Sequence, residues 1–469
     1  MRLNRRAAAL SPGLQVAVMA LALLVIPVSS EAFANPHEYT LANGLRLIVK
    51  EDHRSPVVVS QIWYKAGSVD ELNGATGVAH VLEHMMFKGT KKVPGGEFSK
   101  RIAAAGGREN AFTGRDYTAY FQQLHKSRLP LAMELESDRM RNLILTKEEF
   151  AKEIQVVMEE RRLRTDDKPH ALVHEKMMAA AYQSHPYQRP IIGWMNDLEN
   201  MSVRDAKEWY DRWYAPNNAV LVVVGDVNPK EVFALAQKYY GEIKPRPLVP
   251  LALRKPQIEP AQVGIKRLTV KAPAKLPYLT MGYHAPALRN AGDDWEPYAL
   301  EMLVGVLDGN ESARLNKELV RERRIANSTG AGYDSTARGP GMFYLYGTPS
   351  EGKTVVELET ALRGEMEKLM LDGVTEEELA RVKAQVVANH VFRLDSMFYQ
   401  AMQIGQLESV GLSYRDLDTM VKKLQAVTAE QVREVAKKYV QDDSLTVAVL
   451  DPQPLEQKFP TAAPSGLRH

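Results

Sequence analysis

Two histidines and a glutamate fall within five residues at His80-Val81-Leu82-Glu83-His84. The surrounding run, Thr76 to Phe87, is apolar, has helical spacing and contains no proline. On a helix, residues four apart stand one above the other on one face. His80 and His84 can therefore offer imidazole nitrogens to a single zinc ion, with Glu83 beside them. Neutral imidazole suits zinc, and a neighbouring carboxylate can take a proton from a water beside the metal. The bland alternative is a pair of histidines satisfied by carbonyls in an ordinary amphipathic helix, and the context further along the chain must decide.

A third ligand must come from elsewhere. Thr146-Lys-Glu-Glu149 has the form of a capping box, so a helix is expected to start there, run to Arg162 and end before Pro169. Phe150, Ile154 and Val157 mark its apolar stripe. Glu153 and Glu160, two turns apart, fall on or next to that stripe, where a carboxylate is costly unless paired or bound to a metal. Glu148, Glu149 and Glu159 read as solvated charges. Helix geometry alone leaves open whether Glu160 is a ligand and Glu153 its supporting partner, or whether both are structural.

At this point the chain resembles a known family. His-x-x-Glu-His is the inverted zincin signature. Its combination with a Glu 76 residues after the second His, in a Glu-x6-Glu helix, is similar to the pitrilysin family, which includes insulin-degrading enzyme and mitochondrial processing peptidase. The resemblance implies zinc, one per chain, held by His80, His84 and Glu160, with Glu83 as general base and Glu153 as the accessory catalytic glutamate. Gly106–Thr113 with Asp116–Tyr120 is similar to the family's strand beside the metal, and Tyr214–Asp226 to the strand that closes its first domain. The similarity covers roughly residues 37–455.

Composition sets the compartment and excludes some chemistry. Residues 1–34 read as a secretory signal: Arg2, Arg5 and Arg6, then an apolar core from Leu14 to Val28, then Ala32-Phe33-Ala34 as a cleavage site. The core, about 15 residues, is short for a membrane span; a retained anchor is the alternative. The chain has 60 basic and 58 acidic residues, and the signal carries three Arg and one Glu, leaving 57 of each. That balance gives no hint of a nucleic-acid surface or an anionic membrane partner. With no cysteine, thiol catalysis, disulfides and thiolate metal sites are excluded. Export without cysteine points to a bacterial periplasm.

Five prolines fall in the 18 residues from Ile243 to Pro260, which read as an extended linker. The expected organisation is a signal (1–34), a catalytic zinc-binding domain (35–242), the linker (243–260) and a homologous domain without zinc (261–469) ending in a short tail. Each half opens with strand signals, Leu45–Val49 and Val57–Tyr64, then Ile265–Val270 and Tyr278–His284. Each closes with a capped helix followed by a buried strand. The expected class is α+β: two homologous domains, each a mainly antiparallel sheet flanked by helices, which the resemblance arranges as a clam shell. The second-half helix around Tyr298–Leu307 has no histidine, so only one half can do zinc chemistry. His170 and His174, also four apart, follow Pro169 and read as surface or loop-packing residues.

The expected reaction is zinc-dependent hydrolysis of peptides or unfolded segments. Asn110, Ala111 and Phe112 are expected to bind the substrate along a strand edge. The resemblance implies an Arg and a Tyr, seven residues apart, reaching over from the second domain. Here Arg321 is present, the segment is one residue short, and Asn327 stands where Tyr is expected; Tyr333 has the wrong spacing. Losing one such donor typically costs about 10²–10³ in rate. The departure suggests a homologous partner subunit supplying the Arg/Tyr pair, with a homodimer otherwise. A non-catalytic assembly subunit of the same fold is the competing class, and an intact metal motif argues against it. Zinc storage would not need Glu83.

Overall fold

The valine-rich run Ala219–Gly225, without alternation, is a strand buried on both faces and lies at the centre of the first sheet. The computed structural model describes residues 36–455; the signal expected over 1–34 and the residues after 455 lie outside them. Six strands form the first sheet: β1 His37–Thr40, β2 Arg46–Glu51, β3 Val57–Tyr64, β4 Arg108–Thr113, β5 Thr118–His125 and β6 Ala219–Gly225. Five form the second: β7 Lys266–Pro273, β8 Tyr278–Ala285, β9 Ala326–Gly332, β10 Gly341–Pro349 and β11 Leu445–Gln453. The spatial orders are β1-β2-β6-β3-β5-β4 and β7-β11-β8-β10-β9. Without β1 the two orders are the same, strand for strand, so the repeat read from sequence is a repeat of topology. In each sheet the first and last of these five strands pair in parallel, β2 with β6 and β7 with β11, and the other pairs are antiparallel.

The two halves complete each other's cores. Leu221 and Val223 of β6 face the first-half core, while Val220, Val222 and Val224, on the opposite face, pack against Ala401 and Ile404. Those last two belong to the helix Met397–Val410 of the second half, which lies so close that a Cβ on Gly405 would meet the Trp63 ring at 2.1 Å. Reciprocally, Ala448 and Leu450 of β11 pack against Val173, Met177 and Ala181 of the helix Pro169–Ala181, contributed by the first half. His170 and His174 are surface residues as expected, but on a helix rather than a loop. Both lie on that helix, with His170 stacked on Tyr278 at 4.1 Å between centroids and His174 tilted against Tyr344 at 5.6 Å.

The proline-rich stretch has little regular structure, one short turn at Leu251–Leu253, yet it is anchored. Arg254 donates to Asn218 Oδ1 and to the Lys65 carbonyl, and Glu259 accepts the backbone N–H of Gln183, Ser184 and His185. The counterpart of the histidine helix, Glu296–Asp308, packs in the second core and carries no histidine.

Candidate metal centre

The histidine helix runs Val78–Met85 and begins two residues later than the apolar run, because Gly77 takes a left-handed φ of 88°. A Cβ there would meet the Ile192 carbonyl at 2.5 Å, so glycine is needed for both the turn and the approach. The helix start is clamped. The buried Glu71 carboxylate accepts the N–H of Gly77 and of Ala79, each at 2.9 Å, and Asp197 accepts the Thr76 hydroxyl at 2.6 Å. Val81, Leu82 and Met85 bury one face, leaving His80, Glu83 and His84 toward a cavity of about 1250 Å³.

The glutamate helix, Lys147–Arg161, brings the other half of the site. Thr146 caps it as expected, accepting from Glu149 N at 3.2 Å, but Glu149 pairs with Lys152 rather than closing the box. Past Arg161 the chain continues as a wider π-type turn, Arg162–Asp166, from which Arg164 pairs with Glu160.

Glu160 Oε2 lies 3.3 Å from His84 Nε2 and 3.7 Å from His80 Nε2. One ligand atom from each of His80, His84 and Glu160 lies within 4.8 Å of the others. Atoms about 2.0–2.1 Å from one zinc in a tetrahedron are about 3.4 Å apart, so the donor set and its spacing fit that ion. Burial opposes charge on both partners. The Glu153 and Glu160 carboxylates nevertheless hold the His84 pKa above the usual range, and the histidines hold Glu160 below its own.

Glu153 reaches the far side of His84, Oε1 to Nδ1 at 2.9 Å, and also pairs with Lys88. It orients the imidazole rather than facing the space between the three ligand atoms. Such supporting carboxylates typically carry about 10–100-fold of metal affinity. Glu153→Gln is expected to weaken zinc binding by that factor, measured by competition with a chromophoric chelator; unchanged affinity would remove the orienting role. Glu83 is buried, which raises its pKa, and the Thr113 hydroxyl donates to it and pulls the value partly back.

Asn110, Ala111 and Phe112 line the same cavity on β4, the outermost strand beside β5, and Asn110 Oδ1 accepts the Ala111 N–H at 2.8 Å. The structure does not bring Arg321 or Asn327 to this cavity. Arg321 sits on a π-type turn, Asn316–Glu322, and Asn327 on β9, both exposed. The short segment between them is accommodated by Arg324 at φ 50°. Tyr333 donates to the Pro286 carbonyl. Sequence reasoning missed Thr113, Lys88 and Arg164. The last two stand four residues after His84 and Glu160, a spacing that could have flagged them.

Two sheets of similar topology, with a His-His-Glu group on two helices of the first half that could hold a metal ion, frame the comparison with known proteins, which gives the family. Residues 46–194 match the insulinase (peptidase family M16) model and residues 200–386 the M16 inactive-domain model. The chain is 32% identical to the zinc protease PqqE of Helicobacter pylori over 90% of its own length and 94% of the relative's. It is 26% identical to the uncharacterized zinc protease YmxG of Bacillus subtilis, over 88% and 98%. A crystal structure of a protease from Helicobacter pylori superposes with a TM-score of 0.83 at 30% identity, covering 89% of this chain and all of that one. The protein belongs to the M16 peptidase family.

Proposed function

We propose that the protein is a zinc-dependent endopeptidase acting on peptides or unfolded segments, with the metal held by His80, His84 and Glu160. The carrying observation is that these three ligand atoms, Glu83 and the outer strand β4 share one cavity. Zinc, when bound, supplies a Lewis acid for the scissile carbonyl and brings the pKa of a water near neutrality. Glu83 accepts that water's proton on a carboxylate oxygen and returns it to the leaving amine. The Thr113 hydroxyl fixes the carboxylate's orientation through its hydrogen bond. Glu153 and Lys88 hold the His84 ring in place, and Arg164 does the same for Glu160. An extended peptide along β4 would add a strand to the first sheet, presenting its backbone to Glu83.

A homologous partner contributing an Arg/Tyr pair is part of this reading, supported by the placement of Arg321 and Asn327 outside the cavity. Export to a periplasm is supported by the signal-like residues 1–34 and by a structural neighbour described as the periplasmic protease PqqL. Among the described residues no helix is long and apolar enough to cross a membrane.

The test is hydrolysis of quenched fluorescent peptides by the purified mature chain, with zinc measured on the same sample. A chelator is expected to abolish turnover and added zinc to restore it. Zinc-loaded but inactive protein would mean a partner completes the site. Turnover that survives full removal of the metal would sink the proposal.

A further inference from the structure

The cavity that holds the metal cluster also contains a guanidinium with no counter-ion. Arg115 sits in the turn between β4 and β5, which the Gly114 N–H closes onto the Tyr117 carbonyl at 2.8 Å. It is partly buried, lines the cavity, and its Nε is buried without a hydrogen bond. Among the described residues no carboxylate forms an ion pair with it. The chain's other deeply placed arginines are treated differently: Arg139 faces Glu136, Arg161 faces Glu175 and Arg338 faces Asp70.

The surroundings of Arg115 are neutral. Its guanidinium stands 5.3 Å from the centroid of the Tyr187 ring, and the Tyr344 hydroxyl lies beside it. His174 shares the cavity, its pKa lowered by desolvation and by the charge of Arg115. The nearby acids are already engaged. Asp116 accepts the Tyr187 hydroxyl at 2.7 Å and the Arg338 N–H at 3.1 Å, and Glu175 accepts from Arg161 at 2.7 and 2.9 Å. A charge taken from water without a partner is costly, and an arriving carboxylate would remove that cost with a short, bidentate pair. Arg115 stands two residues past Thr113, whose hydroxyl bonds Glu83. A peptide lying along β4 at about 3.4 Å per residue would pass it about two or three residues from the bond being cut.

Resting on the endopeptidase reading, we propose that Arg115 is a specificity-determining residue that binds a carboxylate of the substrate peptide. The carboxylate is an Asp or Glu side chain, or the peptide's own C-terminus.

The experiment uses matched peptides of one sequence, with Glu or Gln at the second and third positions on each side of the cut. A second series ends in a free carboxylate or an amide. Each pair is assayed for kcat/KM with wild-type, Arg115→Gln and Arg115→Lys enzyme. Binding to the same variants in a Glu83→Gln background is followed by fluorescence anisotropy. Wild type is expected to favour the acidic member of one pair by about 10- to 100-fold, the range of a charge-assisted bond. Arg115→Gln is expected to bring that ratio near unity and Arg115→Lys to keep part of it. A purely structural loss would slow both members of a pair alike and leave the ratio unmoved. If only the acid/amide ratio responds to Arg115, the source is the terminal carboxylate; if only the Glu/Gln ratio responds, it is a side chain. No acidic preference in wild type, or a preference that survives Arg115→Gln, overturns the inference. An acidic preference in binding without any cleavage would support Arg115 and count against the endopeptidase reading alone.

Discussion

Glu83→Gln is expected to lower kcat/KM by about 10²–10⁴, the usual contribution of a positioned general base, while zinc content remains that of the wild type. Glutamine has the same shape and keeps an oxygen to accept from the Thr113 hydroxyl, so the cavity wall should be preserved. What it cannot do is take a proton. Burial already biases Glu83 toward its neutral form, and the Thr113 bond offsets part of that bias. The substitution therefore removes a proton acceptor and leaves its contacts. Glu153→Gln separates from it in kind, because Glu153 touches His84 Nδ1 and Lys88. Its effect should fall on metal affinity and be recovered by excess zinc, whereas that of Glu83→Gln should not. Peptide hydrolysis at saturating zinc, with metal content by atomic absorption, distinguishes the two. Full activity in Glu83→Gln would remove the assigned base and with it the proposed chemistry.

The five-residue histidine motif and the Glu-x6-Glu helix were legible because each is a local pattern whose geometry a helix fixes. The strands were legible for the same reason: the run Val220–Val224 has no alternation and so needs cover on both faces. What covers the second face was not legible. Nothing local in Pro169–Ala181 or Met397–Val410 says that each docks on the other half's sheet, since that pairing is set by tertiary complementarity between residues far apart in the chain. His170 and His174 are exposed as expected, and only their loop setting was misread, for Pro169 marks the first turn of a helix here. Arg321 and Asn327 came from family likeness alone, with no local pattern to place them. Thr113 is a third case: a strand threonine looks like sheet chemistry until Glu83 is placed beneath it. Arg115 sits in a turn, where arginine is ordinary, and only the absence of an ion pair in three dimensions marks it.

A second large effect is expected in the floor of the half that carries the His-His-Glu group. Arg139 and Glu136 lie three apart on the helix Leu129–Asn142, with side chains 2% and 1% exposed. Arg139 Nε and Nη2 donate to the two Glu136 oxygens at 2.8 and 2.6 Å, and Gln122 of β5 donates to Glu136 at 2.8 Å. The guanidinium also lies 4.3, 4.4 and 5.0 Å from the ring centroids of Phe98, Tyr120 and Phe87. Replacing Arg139 by leucine would strand the Glu136 carboxylate out of water, and removing one member of a buried pair costs about 3–5 kcal/mol. Replacing both by leucine removes the stranded charge; Gln122 is left unpaired, a cost of about 1–3 kcal/mol, and Glu109 loses the Arg139 charge in the single and the double variant alike. The double variant is therefore expected to be more stable than Arg139→Leu, despite carrying one more change. Urea denaturation followed by tryptophan fluorescence would give both values. A single variant within about 1 kcal/mol of wild type, or a double variant less stable than the single, would contradict a pair held by mutual neutralisation. Because Phe87 and Tyr120 rest on the guanidinium and Phe87 lines the metal cavity, the double variant also asks whether that wall keeps its shape without a charge beneath it.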